Sequence, residues 1–216
     1  MYYKFRLCNE NNFLALENMS VYFSSFSDLN DPFEGTFSQR KDLGDNLYGK
    51  ISRRLISCFS KGDTDFVKTS HLLWTFYADA HKGFCIEYND QVLEGYKPYE
   101  DVKNIQENVW MEISYTHAFQ DPIDYGDDVE RCIADVIKHK SKDYEFENEV
   151  RLVNHTSKPG GRCMAVPKNS INAIYLGCRI SLENKQRLMG IANLIGVPCY
   201  QMSMDNATYI LDAKEV

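Results

Sequence analysis

No apolar run in this chain approaches the ~20 residues that a bilayer-spanning helix needs. The opening Met1-Tyr-Tyr-Lys-Phe-Arg6 lacks the apolar stretch of a secretory signal. A protein with no membrane segment, expected in the cytoplasm, is the reading. Paired Cys-x-x-Cys spacing is also missing. The seven cysteines (Cys8, Cys58, Cys85, Cys132, Cys163, Cys178 and Cys199) are odd in number, scattered, and mostly set among apolar neighbours. They are expected as free thiols, not a disulfide frame or a zinc site. Four catalytic signatures are absent as well. Without Gly-x-x-x-x-Gly-Lys-Ser/Thr or Gly-x-Gly-x-x-Gly there is no sign of a P-loop or a Rossmann dinucleotide site. Without His-x-x-x-His or Gly-x-Ser-x-Gly there is none of a zinc-protease helix or a nucleophile elbow. Positive charge is short too, the net charge being −7. That disfavours a protein that coats nucleic acid by bulk electrostatics. The local basic runs, Lys50-Arg53-Arg54 and Lys138-His139-Lys140-Lys142, read as solvated faces.

What the chain does have is length for one sizeable core, ordinary hydrophobic content and many aromatic residues, 14 Tyr and 12 Phe. Strands are expected at Tyr2–Leu7, Val21–Ser25, Arg54–Ser60, Phe84–Tyr88, Met111–Thr116 and Ile171–Gly177, with a closing pair at Val197–Met202 and Ala207–Leu211. A helix is predicted from Asp63 or Asp65 to about Ala80, ended by His81-Lys82-Gly83, where Gly83 is able to take a left-handed conformation. A second starts at Asp127-Asp128 and carries Val129, Cys132, Ile133, Val136 and Ile137 at i, i+3, i+4, i+7, i+8. A third, capped by Ser181, presents Leu188, Ile191, Ala192 and Ile195 before Gly196 and Pro198 stop it. Pro159-Gly-Gly161 reads as a turn. With no internal repeat or low-complexity linker, residues 1–216 are expected as a single α+β domain of mixed, mostly antiparallel sheet flanked by helices.

The densest chemistry lies in Phe146-Glu147-Asn148-Glu149-Val150-Arg151. As a strand it would put Glu147, Glu149 and Arg151 on one face. That face is a charged solvent stripe or the floor of a site. Other candidates each carry a plain alternative. Arg6 is a site residue or a snorkelling or stacked surface side chain. Ser24-Ser25 is a site edge or strand-end hydrogen bonding. Tyr77, with Trp74, is a stacking surface or core. Asn30-Asp31 is a ligand contact or an Asx turn, and His81 a site residue or a helix-end residue.

Taken together, Tyr3-Lys-Phe-Arg6, Val21–Ser25, Asn30-Asp31-Pro32-Phe33, Ser57-Cys-Phe-Ser60, Trp74-Thr-Phe-Tyr77-Ala78, His81-Lys-Gly-Phe-Cys-Ile-Glu87, Phe146–Arg151 and Ile174-Tyr-Leu-Gly-Cys178 resemble the bacterial domain-of-unknown-function family numbered 2971 across nearly the whole chain. One departure is Phe76, where that pattern usually has His before Tyr-Ala. The order of motifs, an Arg6 strand, a Ser-Ser strand end, an aromatic middle and a Glu-x-Glu strand, is similar to that of ADP-ribosyltransferases, a likeness of fold level. It implies an ADP-ribosyltransferase-like fold and a toxin or phage-defence transferase. Such an enzyme moves ADP-ribose from NAD, used as substrate, to a protein or nucleic acid acceptor, with a neutralising antitoxin as a further partner.

By that resemblance Glu149 stabilises the cationic ribose, as carboxylates do in glycosidases, and Glu147 orients or deprotonates the acceptor. Arg6 grips NAD and Tyr77 stacks on nicotinamide. Ser24, Asn30, Asp31 and His81 complete the cofactor contacts, with no metal. Two other classes stay open: a non-catalytic interaction module with an acidic stripe, and a metal-dependent nuclease or hydrolase built from Asp31, Glu87, Glu147 and Glu149.

Overall fold

The computed structural model describes residues 1–35, 49–51, 54–101, 108–119, 129–155 and 162–216. The Pro159-Gly-Gly161 turn, the Asp127-Asp128 helix start and Arg53 lie outside them. In chain order the first elements are β1 (Tyr2–Arg6), α1 (Glu10–Glu17), β2 (Ser20–Tyr22), β3 (Ser24–Ser25), β4 (Arg54–Lys61), α2 (Phe66–Thr69), α3 (His71–Tyr77) and β5 (Phe84–Tyr88). Then come β6 (Lys97–Pro98), β7 (Val109–Glu112), β8 (Ser114–Thr116), α4 (Val129–Lys138), β9 (His139–Ser141) and β10 (Glu149–His155). The chain closes with β11 (Cys163–Ala165), β12 (Ile171–Leu176), α5 (Leu182–Ile195), β13 (Cys199–Met204) and β14 (Leu211–Glu215). The α+β class and the mostly antiparallel pairing are as expected. Two compact units share these elements, each assembled from separate stretches of chain.

The first unit comprises Met1–Val21, Phe59–Glu94 and Cys163–Val216. Its strand β5 is buried along its whole length and pairs antiparallel with β1 on one side and β12 on the other. Beyond β12, β13 runs parallel and β14 antiparallel. Helix α5 buries Leu188, Ile191 and Ala192, and it begins where the Ser181 hydroxyl accepts the Asn184 N–H. It ends at left-handed Gly196.

The expected helix to Ala80 is broken in two. Asp63 spends its carboxylate on an Asx turn, accepting the Asp65 N–H at 3.0 Å, and Ser70 leaves helical geometry with φ −84° and ψ 55°. The end is also different from the expectation. Asp79, Ala80 and His81 take φ of 46°, 49° and 69°, while Gly83 keeps an ordinary φ. Gly83 is needed for closeness instead: a Cβ there would lie 2.1 Å from the Arg6 carbonyl oxygen.

The second unit comprises Tyr22–Cys58 and Gly95–Arg162. In it β10 and β7 pair antiparallel, Val150 facing Glu112 and Val153 facing Val109, while β6 runs parallel to β7. Strands β8 and β9 form a separate parallel ladder, Ser114 opposite His139 and Thr116 opposite Ser141. The apolar stripe predicted for α4 is what the unit buries. Cys132, Ile133, Val136 and Ile137 pack with Phe26, Ile56, Val109, Met111 and Val153. This packing seats the C-terminal end of α4, and so β9, beside β8.

Candidate active site

Glu147 is not on a strand. Lys142–Glu147 is a 3-10 helix opened by Ser141, and Asn148 follows at φ 43° and ψ 55°. Asparagine tolerates that left-handed geometry because its short side chain bonds locally. The turn reverses the expected alternation, and β10 starts only at Glu149. Glu149 is pinned at its backbone, its N–H donating to Tyr115 Oη at 2.8 Å and its carbonyl accepting from Ile113 N at 3.0 Å.

The two carboxylates still converge, on a cation from elsewhere. Lys140 Nζ donates to Glu147 Oε2 at 2.7 Å and Glu149 Oε2 at 2.9 Å, and lies 3.2 Å from Glu34 Oε1. Arg151 closes the group. Its Nε donates to Glu149 Oε1 at 2.7 Å, one terminal nitrogen reaches both Glu34 oxygens at 2.7 and 2.8 Å, and the other donates to the Ile137 carbonyl at 2.8 Å. Three carboxylates thus face two cations. The lysine side chain is only 6% exposed and that of Arg151 not at all. Burial alone would push the Glu149 carboxyl up, but Arg151 and Lys140 hold it well below the usual range. Burial likewise opposes the charge on Lys140, and Glu149, Glu34 and Glu147 reverse that.

In front of this network is a cavity of about 310 Å3. Asp31, Glu34, Lys140 and His139 line it, together with Phe33 and Phe119, whose ring centroids are 6.0 Å apart. Both phenylalanines are more than half exposed, a costly place for large apolar side chains unless something covers them. Asp31 is 5% exposed and forms the Asx turn, its Oδ1 accepting the Phe33 N–H at 2.9 Å. Asp31 thus forms the expected Asx turn and also lines the cavity. The cavity floor is rigid because Glu34, at its lining, is held from behind by Arg151 and Lys140.

The other sequence candidates divide between the units. Ser24 is half-buried on β3, opposite Ile56, and Asn30 is exposed; neither lines the cavity. Glu147 and Glu149 sit behind it. Arg6, Tyr77 and His81 belong to the first unit. Arg6 ends β1 opposite Phe84, and Tyr77, half-buried, ends α3. The His81 ring stacks on Trp74, 5.9 Å between centroids, and Trp74 itself is core. Burial, then His71 and Arg179, lower the pKa of His81. Glu87, a metal candidate, also lies in the first unit and accepts from Tyr175 Oη at 2.7 Å and Asn172 Nδ2 at 3.1 Å. Among the described residues no group of three or more His, Cys, Asp or Glu side chains is arranged to hold a metal ion. All seven cysteines are free thiols.

Sequence reasoning missed Glu34, Lys140, His139, Phe33 and Phe119. The Lys138–Lys142 run is not the solvated face expected, since Lys140 turns inward with three carboxylates around it. The available signal was local. Of that run only His139 and Lys140 lie on β9, and a strand sends alternate side chains to opposite faces, so these two neighbours need not both be solvated.

Comparison with protein-family models, with curated proteins and with solved structures finds no match to this chain.

Proposed function

We propose that the cavity of the second unit is the active site of an enzyme that transfers ADP-ribose from NAD to a macromolecule, as a toxin or phage-defence factor. The observation that carries this is the pairing of an acidic, rigidly backed floor with two exposed phenylalanines. A positively charged planar ring such as the nicotinamide of NAD is complementary to both. The volume is at the low end of the ~300–1,000 Å3 of small-molecule sites, which suits the nicotinamide-ribose part of the dinucleotide. As nicotinamide leaves, positive charge develops on the ribose, and the carboxylates of Asp31 and Glu34 stabilise it. Glu149, the carboxylate the resemblance points to, works from behind by fixing Arg151, which fixes Glu34. The proposal rests on the second unit; Arg6, Tyr77 and His81 carry no step in it.

The test is incubation of the protein with NAD labelled in its ADP-ribose part and a cell lysate, followed by separation of protein, RNA and DNA. Label is expected in one of these fractions and is expected to persist in EDTA, unlike the activity of a metal-dependent nuclease. Absence of label from all three, with NAD unconsumed, would overturn the proposal. A non-catalytic recognition module is favoured by one observation: Glu147 and Glu149 are both committed to internal cations. It would bind NAD or another flat cation without consuming it, which the same incubation distinguishes.

A further inference from the structure

We infer that His139 is the proton acceptor of the cavity, its Nε2 taking the proton of the acceptor nucleophile. The inference rests on the transferase reading above.

Transfer needs a base, and the carboxylates are poorly placed for it. Glu147 is 4% exposed and accepts from the Lys140 ammonium. Both oxygens of Glu34 accept from Arg151, and Lys140 sits beside one of them. Its oxygens are already taken up by these internal donors. Asp31 must stay anionic to face the cationic sugar. His117 also lines the cavity but is exposed and has no hydrogen-bond partner among the described residues.

His139 is different. Its Nδ1 is 2.6 Å from the Asp135 carbonyl oxygen. A carbonyl oxygen only accepts, so Nδ1 carries the hydrogen, and in the neutral ring the lone pair is on Nε2. The partner that fixes this tautomer is a carbonyl of the last turn of α4. The ring is thus oriented and held in the tautomer whose Nε2 can accept a proton, at a residue that lines the cavity.

The step balances. The acceptor X–H gives its proton to Nε2 as X bonds to C1′ of the ribose. The C1′–N bond breaks, and nicotinamide leaves neutral with the bonding pair. The imidazolium then releases its proton to water.

The experiment is three measurements on the full chain. Label transfer from NAD is compared between wild type and His139→Ala, with and without added imidazole. NAD affinity is measured on both proteins by titration. The His139 tautomer is read from its ring 15N shifts. Expected are a transfer rate lowered about 10²–10⁴-fold, NAD affinity within threefold of wild type, partial rescue by imidazole, and a hydrogen on Nδ1. Transfer within threefold of wild type, a loss that imidazole does not rescue, or a hydrogen on Nε2 in place of Nδ1 would each overturn the inference. If wild type consumes no NAD, the transferase reading itself fails, a result distinct from these.

Discussion

Each unit buries glutamates, and they do so in opposite ways. Glu87 in the first unit lies in a strand buried on all sides and is satisfied by neutral donors, the Tyr175 hydroxyl and the Asn172 amide. Glu149 in the second is satisfied by Arg151 and Lys140, and through them is tied to Glu34 and Glu147. A carboxylate held by neutral groups needs nothing beyond its own pocket. A five-member charge network is a costly way to fill an interior, because desolvating ions often cancels their attraction. That cost is easier to understand where the network also shapes a cavity, as Glu34 and Lys140 do at the wall lined by Asp31 and His139. The difference separates a glutamate held by neutral donors from glutamates held in a charge network beside a cavity.

The largest effect should come from cutting the network. Arg151→Met leaves Glu149, Glu34 and Glu147 buried around Lys140 alone and is expected to cost about 3–5 kcal/mol, read from denaturant unfolding. A loss below ~1 kcal/mol would mean the charges are solvated and the contrast with Glu87 is lost. The matching change in the first unit is Tyr175→Phe. It removes one hydrogen bond to a charged group, worth roughly 1.5–3 kcal/mol.

Acid should separate the units without mutation. His81 has a folded pKa below its unfolded one, because of burial first and then His71 and Arg179. Its contribution is therefore intact above about pH 6.5 and lost as pH falls through the lower folded value. Glu149 is also depressed, so its contribution is intact above about pH 4.3 and lost only at stronger acid. Amide hydrogen exchange is expected to rise first around the Asp79–His81 turn, near pH 6 or below, while β10 stays protected to below about pH 4. The reverse order would contradict the electrostatics given for both sites. The smallest effect on stability should come from Phe33→Ala, within about 0.5 kcal/mol because the ring is exposed. The same change should still weaken NAD binding.

Helices were legible where the apolar period was clear. The α4 stripe of Cys132, Ile133, Val136 and Ile137 is the one the second unit buries. The break at Ser70 was not, since the Ser70 hydroxyl donates to the Phe66 carbonyl, a local bond that leaves the 3.6-residue apolar pattern undisturbed. At the site, Glu147 and Glu149 do converge on one charge network, but the strand assumed for Glu147 ignored the left-handed turn that Asn148 permits. Glu34 and Lys140 were illegible for a simpler reason. They are 106 positions apart and meet only in the folded unit, and a lysine-rich run looks solvated until a carboxylate cluster is found opposite it.

The most direct measurement of whether the acidic cavity acts on NAD is the rate of nicotinamide release by wild type and by Asp31→Asn, on proteins with matching unfolding midpoints. A fall of about 10²-fold or more with asparagine, which keeps the shape and removes the charge, is the expected result. Equal rates in the two proteins would place the chemistry elsewhere and contradict the assignment of the cavity.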